Sequence, residues 1–450
     1  MARCKCPGRR LAPNPRRSRY TELLRKSRRT VTRSHAPVGA MCDRRSMRGA
    51  GDELTINQRV AFYRKKRGLT QAALAELVGK TEVWLRFIES ERRELDRLSV
   101  IRDLADALDV TVADLIGYPT MLQWKSHNER ASVPRVRSAL TSAFLPEARE
   151  AAAIDLDGLR TRIKHAWTDW QASDYHRLTN SLPDLITSTA VAARSLDGEA
   201  QRRAQRQAAS VHQLAAVYLP KLGETDLAML AASRGLEFAQ LSGAPASLAA
   251  LYRIFAYALG SLGEYEQAVS VIERAVSELE QPLTDTDAGG VELSVYGMLF
   301  LIGSRAAAQS GNREQADSFL AQADRVARQL GGDRNYAWTA FGPTNVAIHR
   351  TVAAAETGNL QLATDIGLGL DTSNLPAERR GRHALETARA LSGLGRMEDA
   401  LDVLLDAEAY GAEQVRHHAI AREVVRRALR SRTPGEAATG LAARMGIAEL

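Results

Sequence analysis

The side chains able to do chemistry in this chain suit recognition better than bond making. No G-x-x-x-x-G-K-[ST] loop, G-x-S-x-G elbow, H-E-x-x-H helix or dinucleotide fingerprint occurs, so neither an activated nucleophile nor a metal-bound water is expected. The chain does not read as an enzyme. Cys4 and Cys6 could begin a zinc site, but no second pair follows at finger spacing, and no metal or cofactor is expected. His417-His418 is an isolated pair in a polar helix and reads as a solvated face. What remains is the stretch 57–90, NQRVAFYRKKRGLTQAALAELVGKTEVWLRFIES. Its amide, carboxylate, hydroxyl and guanidinium groups make hydrogen bonds and charge pairs, which is binding chemistry.

Three short helices must carry those groups. Gly68-Leu69-Thr70 breaks the first from the second, with Thr70 as N-cap and Gln71 opening the next helix. Gln71 to Val78 makes two turns, with Leu74, Ala75 and Val78 on one face. Gly79 ends it at a place suited to left-handed backbone. Thr81 then caps a third helix, Glu82 to Ser90, whose Leu85 and Ile88 turn inward. Ala75 is small where two helices joined by so short a turn must approach. This is the pattern of a DNA-binding helix-turn-helix.

Continued through ERRELDRLSVIRDLADALDVTVADLIG, the stretch resembles the Xre-type domain of the phage lambda and 434 repressors. GLTQxxLA, Gly79, Leu85, Ile88, Glu89 and the later LADALxV fall in register over roughly residues 56 to 117. The resemblance implies a five-helix, lambda-repressor-like domain over 52–118, with further helices at Ser99–Leu108 and Val112–Ile116. Its expected core is Val60, Leu69, Leu74, Val78, Leu85, Ile88, Leu98, Ile101, Leu104, Leu108, Val110 and Leu115. It implies that Glu82, Val83 and Phe87 read base edges in the major groove, with Arg86 nearby. Glu82 would accept from a cytosine amino group, and Val83 and Phe87 would pack on thymine methyls. Gln71 matches a residue that holds phosphate and braces the first reading side chain; Ser90 matches a phosphate contact. Arg92 and Arg93 would add charge. Arg64 and Glu89 resemble the pair that bridges the first and third helices. Two positions depart from the family: Lys80 replaces an apolar residue, and Glu91 replaces the frequent glycine after the recognition helix.

Charge is unevenly spread. The net +8 conceals residues 1–50, with 15 Lys+Arg against Glu22 and Asp43, so the other 400 residues carry −5. Within 51–118 the balance is 11 basic to 12 acidic. Because phosphate neutralisation supplies much of DNA affinity, one copy should bind weakly and a homodimer on a near-palindromic site is expected. The Arg-rich stretch 1–50 contains Pro7, Pro13, Pro15 and Pro37 without a sustained apolar period. It is expected to be disordered, with Met41 or Met47 the favoured true start. All three cysteines lie there, which fits a cytoplasmic protein without a disulfide framework. No apolar run reaches a membrane span.

The remainder reads as all-α. Residues 119–150, with Pro119, Pro134 and Pro146, are expected to be a linker with short helical pieces. From 151 to 432 helix, turn and helix repeat, and 433–450 is a tail. Residues 252–280 match tetratricopeptide spacing through Tyr252, Phe255, Ala256, Gly263, Tyr265, Ala268, Ile272 and Ala275. Weaker copies turn at Ser173, Gly223, Gly311, Gly358 and Gly395. Their spacing exceeds the roughly 34-residue unit, so the expectation is a tetratricopeptide-like α-solenoid. One segment differs from its Ala-rich surroundings: NYAWTAFGPTNVAIHR, 335–350. Gly342-Pro343 opens a helix bearing Asn345 and His349 one turn apart, after a cluster of Tyr336, Trp338 and Phe341. Tyr336, Trp338, Asn345 and His349 are either part of a pocket for a small molecule or peptide, or an aromatic plug between irregular repeats. The sequence thus points to a DNA-binding transcriptional regulator whose repeats dimerise or sense a peptide, small molecule or protein. The alternative is a protein-interaction scaffold.

Overall fold

A computed structural model describes residues 55–67, 69–93, 95, 98–108, 110, 115, 132–142, 154–222, 224–284, 289–431 and 435–447. Residues 1–50 lie outside that range. The expectations for the Arg-rich stretch, its cysteines and the helix 112–116 (Leu115 excepted) therefore lie outside the described residues. Among the described residues there is no strand; Arg334 and Phe341 make an isolated antiparallel bridge.

The first four helices among the described residues are α1 (Ile56–Lys66), α2 (Gln71–Leu77), α3 (Glu82–Glu89) and α4 (Leu98–Leu108). Each of the first three starts on a threonine that supplies an acceptor to an otherwise unpaired amide. Thr55 accepts from Gln58 N, and Gln58 reciprocates to Thr55 N at 3.0 Å, a capping box. Thr70 accepts from Ala73 N, and Thr81 from Trp84 N. Between α2 and α3, Gly79 adopts φ 64° and Lys80 N donates to Ala75 O at 2.8 Å. The chain can reverse so tightly because Ala75, 1% exposed, presents no bulk to α3. Val60, Leu74, Leu85, Ile88, Ile101, Leu104, Leu108 and Leu115 fill the core; Leu69, Val78 and Val110 edge it.

Within the stretch expected to be a linker lies α5 (Ser132–Ser142), and it belongs to the repeat domain. Val136, Ala139 and Leu140 recur at i, i+3 and i+4 and are buried against the hairpin that follows. Pro134 sits in the first turn, where its missing N–H costs nothing.

The repeat domain continues as α6 (Leu156–Gln171), α7 (Tyr175–Ser195), α8 (Gly198–Tyr218), a 3-10 turn (Leu219–Leu222), α9 (Thr225–Ser242), α10 (Pro245–Ser261) and α11 (Tyr265–Thr284). Then come α12 (Gly290–Gln309), α13 (Arg313–Leu330), α14 (Pro343–Glu356), α15 (Leu360–Gly369), α16 (Ala377–Gly393), α17 (Met397–His417), α18 (Ala419–Leu429) and α19 (Glu436–Met445). Consecutive helices pack as hairpins in a helical solenoid. Ser173, Gly263, Gly311, Gly358 and Gly395 take the same left-handed turn, with φ of 61, 86, 84, 82 and 79°. Serine accepts at the first turn a conformation that glycine adopts at little cost. The first helix of each pair also touches the first helix of the next, from α6 through α18, so these helices form one layer. That layer closes on itself. α16 reaches α6; Ser173 donates to Gln414 at 3.1 Å, and Glu413 accepts from Tyr175 N at 3.1 Å. At the centre, α12 is long and apolar enough to cross a membrane by composition, yet it is buried nearly all round, as a core helix is.

Four histidines are buried inside this body: His212, His349, His383 and His418. Burial lowers the pKa of each, that of His212 to about 4. His418 corrects an expectation. It is 4% exposed and caps α18 through Nδ1, which accepts from Ile420 N, so it does not belong to a solvated face. A depressed histidine favours folding above its unfolded pKa of about 6.5, and this contribution is lost as pH falls toward the folded value. For His212 the loss at pH 5 is about 2 kcal/mol. Denaturant unfolding at pH 7.5 and pH 5 should show a marked fall in stability, reduced in His212→Leu. Equal stability at both values would show that the rings do not remain neutral in the folded chain.

Candidate nucleic-acid interface

The orientation of α3 is set from one face of α1. Asn57, Val60 and Arg64 are spaced i, i+3 and i+7, and so line up along that helix. Arg64 makes a two-pronged ion pair with Glu89: its Nε faces Glu89 Oε1, and a terminal nitrogen donates to Oε2 at 2.7 Å. The other terminal nitrogen donates to Leu69 O at 2.7 Å, fixing the turn before α2. The side chains are 11% and 6% exposed, and Glu89, first through its hydrogen bond, raises the Arg64 pKa. Asn57 donates through Nδ2 to Ile88 O and Arg93 O, both at 2.8 Å. One amide thereby satisfies a carbonyl at the end of α3 and holds the chain leaving it.

With Leu85 and Ile88 buried on the inside, Glu82, Val83, Arg86, Phe87 and Ser90 are all exposed on the outside. Val83 is 48% exposed and Phe87 37%. Two large apolar groups left in water between a carboxylate and a guanidinium make a mixed surface, able to meet both polar and methyl edges of a partner. Gln71 lies half-buried at the start of α2 and donates to Glu89 Oε2 at 2.8 Å, so it braces the Arg64–Glu89 pair. Arg92 and Arg93 are exposed, and among the described residues neither enters an ion pair. Lys80 is also exposed, with its ammonium 6.0 Å from the centre of the Trp84 ring.

Glu91 resolves the departure from the family pattern. It stands in left-handed backbone, φ 59°, where glycine would be unstrained. Arg93 N still reaches Phe87 O at 3.1 Å, so α3 ends in a compact turn. The carboxylate compensates for the strain: Oε1 accepts from the Thr55 hydroxyl at 2.5 Å, and Oε2 from Arg430, at the end of α18, at 3.1 Å. The helix exit is thus tied to the cap of α1 and to the repeat domain. The sequence reading missed Asn57, Thr55 and Arg430. For Asn57 the signal was its register with Val60 and Arg64; for Arg430, 339 residues away from Glu91, there was none.

The four residues of the second candidate site are spread over different surroundings. Trp338 stacks on Trp167, with centroids 6.1 Å apart and planes 4° from parallel. Tyr336 is 43% exposed and lies against Gly290, where a Cβ would stand 2.3 Å from its ring. Gln171 exchanges hydrogen bonds with Asn335, strapping this segment to α6. Asn345 is fully buried and donates to Thr339 O at 3.4 Å. His349, 6% exposed, has an unpartnered Nδ1, and its pKa is held down by burial, then by Arg379 and Arg305.

A family model described as a helix-turn-helix domain matches residues 58–115. No curated protein and no solved structure matches the chain. The matched span runs from within α1 through α4 and ends at Leu115, so the chain contains a helix-turn-helix domain followed by helical repeats.

Two substitutions separate the roles of Glu91. Glu91→Gly relieves the left-handed backbone and should be more stable than Glu91→Ala by about 1 kcal/mol, although both lose the carboxylate. Denaturant unfolding measures the difference; alanine equal to glycine would contradict the strained backbone. Removing one partner of the buried pair, as in Glu89→Ala, should cost about 3 kcal/mol.

Proposed function

We propose that the chain is a DNA-binding transcriptional regulator of the Xre type, with α3 as its recognition helix. The observation that carries this reading is the exposed face of Glu82, Val83, Arg86 and Phe87, held outward by the Arg64–Glu89 and Asn57 contacts. A helix in the major groove reads bases with such side chains, each good contact discriminating by about 1–3 kcal/mol. Glu82 accepts from cytosine, while Val83 and Phe87 pack against thymine methyls. Gln71, Ser90, Arg92 and Arg93 lie beside that face, where phosphates pass. The near-neutral charge of 51–118 favours a homodimer reading half-sites about one helical turn apart.

The repeats, tetratricopeptide-like in hairpin order and turn backbone, form the regulatory half. They pair the two copies or take a peptide, small molecule or protein whose binding changes DNA affinity. Arg430 offers a physical route, since it joins the end of α18 to the exit of α3 through Glu91. Cytoplasmic location and the absence of catalysis belong to the same reading.

Selection of duplexes from a random pool at fixed salt tests it. Wild type should enrich one near-palindromic motif, and Glu82→Ala should relax it at a cytosine. Arg92→Ala should weaken all duplexes about equally and lower the salt slope by about 1. Failure to enrich any motif would leave the scaffold reading in its place.

A further inference from the structure

The inner layer of the repeat domain gathers more positive than negative charge. Lys221, after α8, donates to Glu378 of α16 at 3.4 Å. Along α16, Arg382 pairs with Glu386 at 2.9 Å, while Arg389 joins Glu386 at 2.9 Å and Glu356 of α14 at 3.2 Å. Those bonds engage all three carboxylates. Arg379 is left 3.9 Å from Glu378, with an Nε that has no hydrogen-bond partner.

Two cations from neighbouring helices hold no carboxylate at ion-pair distance among the described residues. Arg253 of α10 is 9% exposed, and among the described residues it makes no ion pair. Arg305 of α12 lies with its guanidinium 5.5 Å from the centre of the Tyr257 ring, and it too has no carboxylate partner there. A buried, unmatched guanidinium costs several kcal/mol, and a fold normally avoids it. Desolvation, and then Arg379, lower the Arg253 pKa to about 10. Tyr257 senses the same field. Burial alone would raise its pKa, but Arg305, Arg382 and Lys221 bring it below the usual value.

Solvent still enters: the side chains of Arg379, Arg382 and Arg389 are 20, 19 and 33% exposed. The inner layer is bridged here, however. Lys221 and Glu378 meet across it, joining the second hairpin to the sixth, so a nucleic-acid duplex cannot be the occupant. A small anion matches the charge.

We propose that the cluster of Arg253, Tyr257, Arg305 and Arg379 binds a small organic oxyanion, a molecule bearing carboxylate or phosphate groups, which supplies the missing negative charge. This rests on the reading of the repeats as ligand-binding and gives that ligand a chemical class. Arg379 and Arg305, two cations of the cluster, also act on the buried His349, whereas the Tyr336–Trp338 strap packs on α6.

The test uses the full chain with citrate and inorganic pyrophosphate as probes, against chloride at equal ionic strength. At least one probe should raise the thermal unfolding midpoint by several degrees beyond chloride. Citrate alone acting identifies a carboxylate ligand, and pyrophosphate alone a phosphate; either result supports the site. Arg253→Met and Arg305→Gln should each abolish the shift. Without probe, Arg253→Met should be at least as stable as wild type, because a desolvated charge is gone. No shift in wild type, or an undiminished shift in both variants, overturns the proposal. Duplex affinity measured with and without the probe separates the two readings. A probe that depends on Arg253 but leaves affinity unchanged upholds the site and removes the regulatory role of the repeats.

Discussion

The Arg64–Glu89 pair is the contact on which the amino-terminal domain depends. It is nearly dry and two-pronged, and it joins the last turn of α3 to the face of α1 that also carries Asn57 and Val60. A buried pair of this kind contributes little net stability compared with apolar packing, but breaking one half is expensive. Its value lies in geometry: only one rotation of α3 about its own axis satisfies Arg64, Asn57 and Gln71 together. That rotation leaves Glu82, Val83, Arg86 and Phe87 in solvent. The exposed face is therefore set by polar contacts on the hidden side of the helix.

The repeat domain reverses the arrangement, with its surplus polar groups turned inward. Small residues let the helices pack closely, and α12 fills the centre with an almost wholly apolar surface. The layer of first helices then curls until α16 meets α6, closed by Ser173, Gln414 and the Lys221–Glu378 pair. Curvature brings together residues that lie far apart in the chain. Burial, and then Arg379, lower the pKa of Arg253, and Arg305, Arg382 and Lys221 bring Tyr257 below its usual value against the effect of burial. Glu91 and Arg430 link this body to the end of α3 through one carboxylate.

Local features were legible in the sequence, because they depend on neighbours within four residues. The caps Thr70 and Thr81, the left-handed Gly79, the inward Leu85 and Ile88 and the Pro343 helix start all stand where spacing put them. The turns at Gly263, Gly311, Gly358 and Gly395 likewise follow from residue type. What depends on curvature or distant pairing was hidden. No local signal showed that His418 would be buried as a cap, that α5 would join the repeats, or that Gln171 would strap the aromatic segment. Glu91 was legible only as a missing glycine. Its left-handed backbone and two partners depend on Thr55, 36 residues earlier, and Arg430, 339 residues later.

The account centres on α3 as the surface that meets DNA. Amide hydrogen exchange of the full chain, with and without a saturating selected duplex, tests this directly. The expected result is added protection over residues 81–93, strongest in the first turn of α3, with the interior of α12 unchanged. Saturating duplex that leaves 81–93 exchanging at its free rate would contradict the account, because the recognition helix would then lie outside the interface.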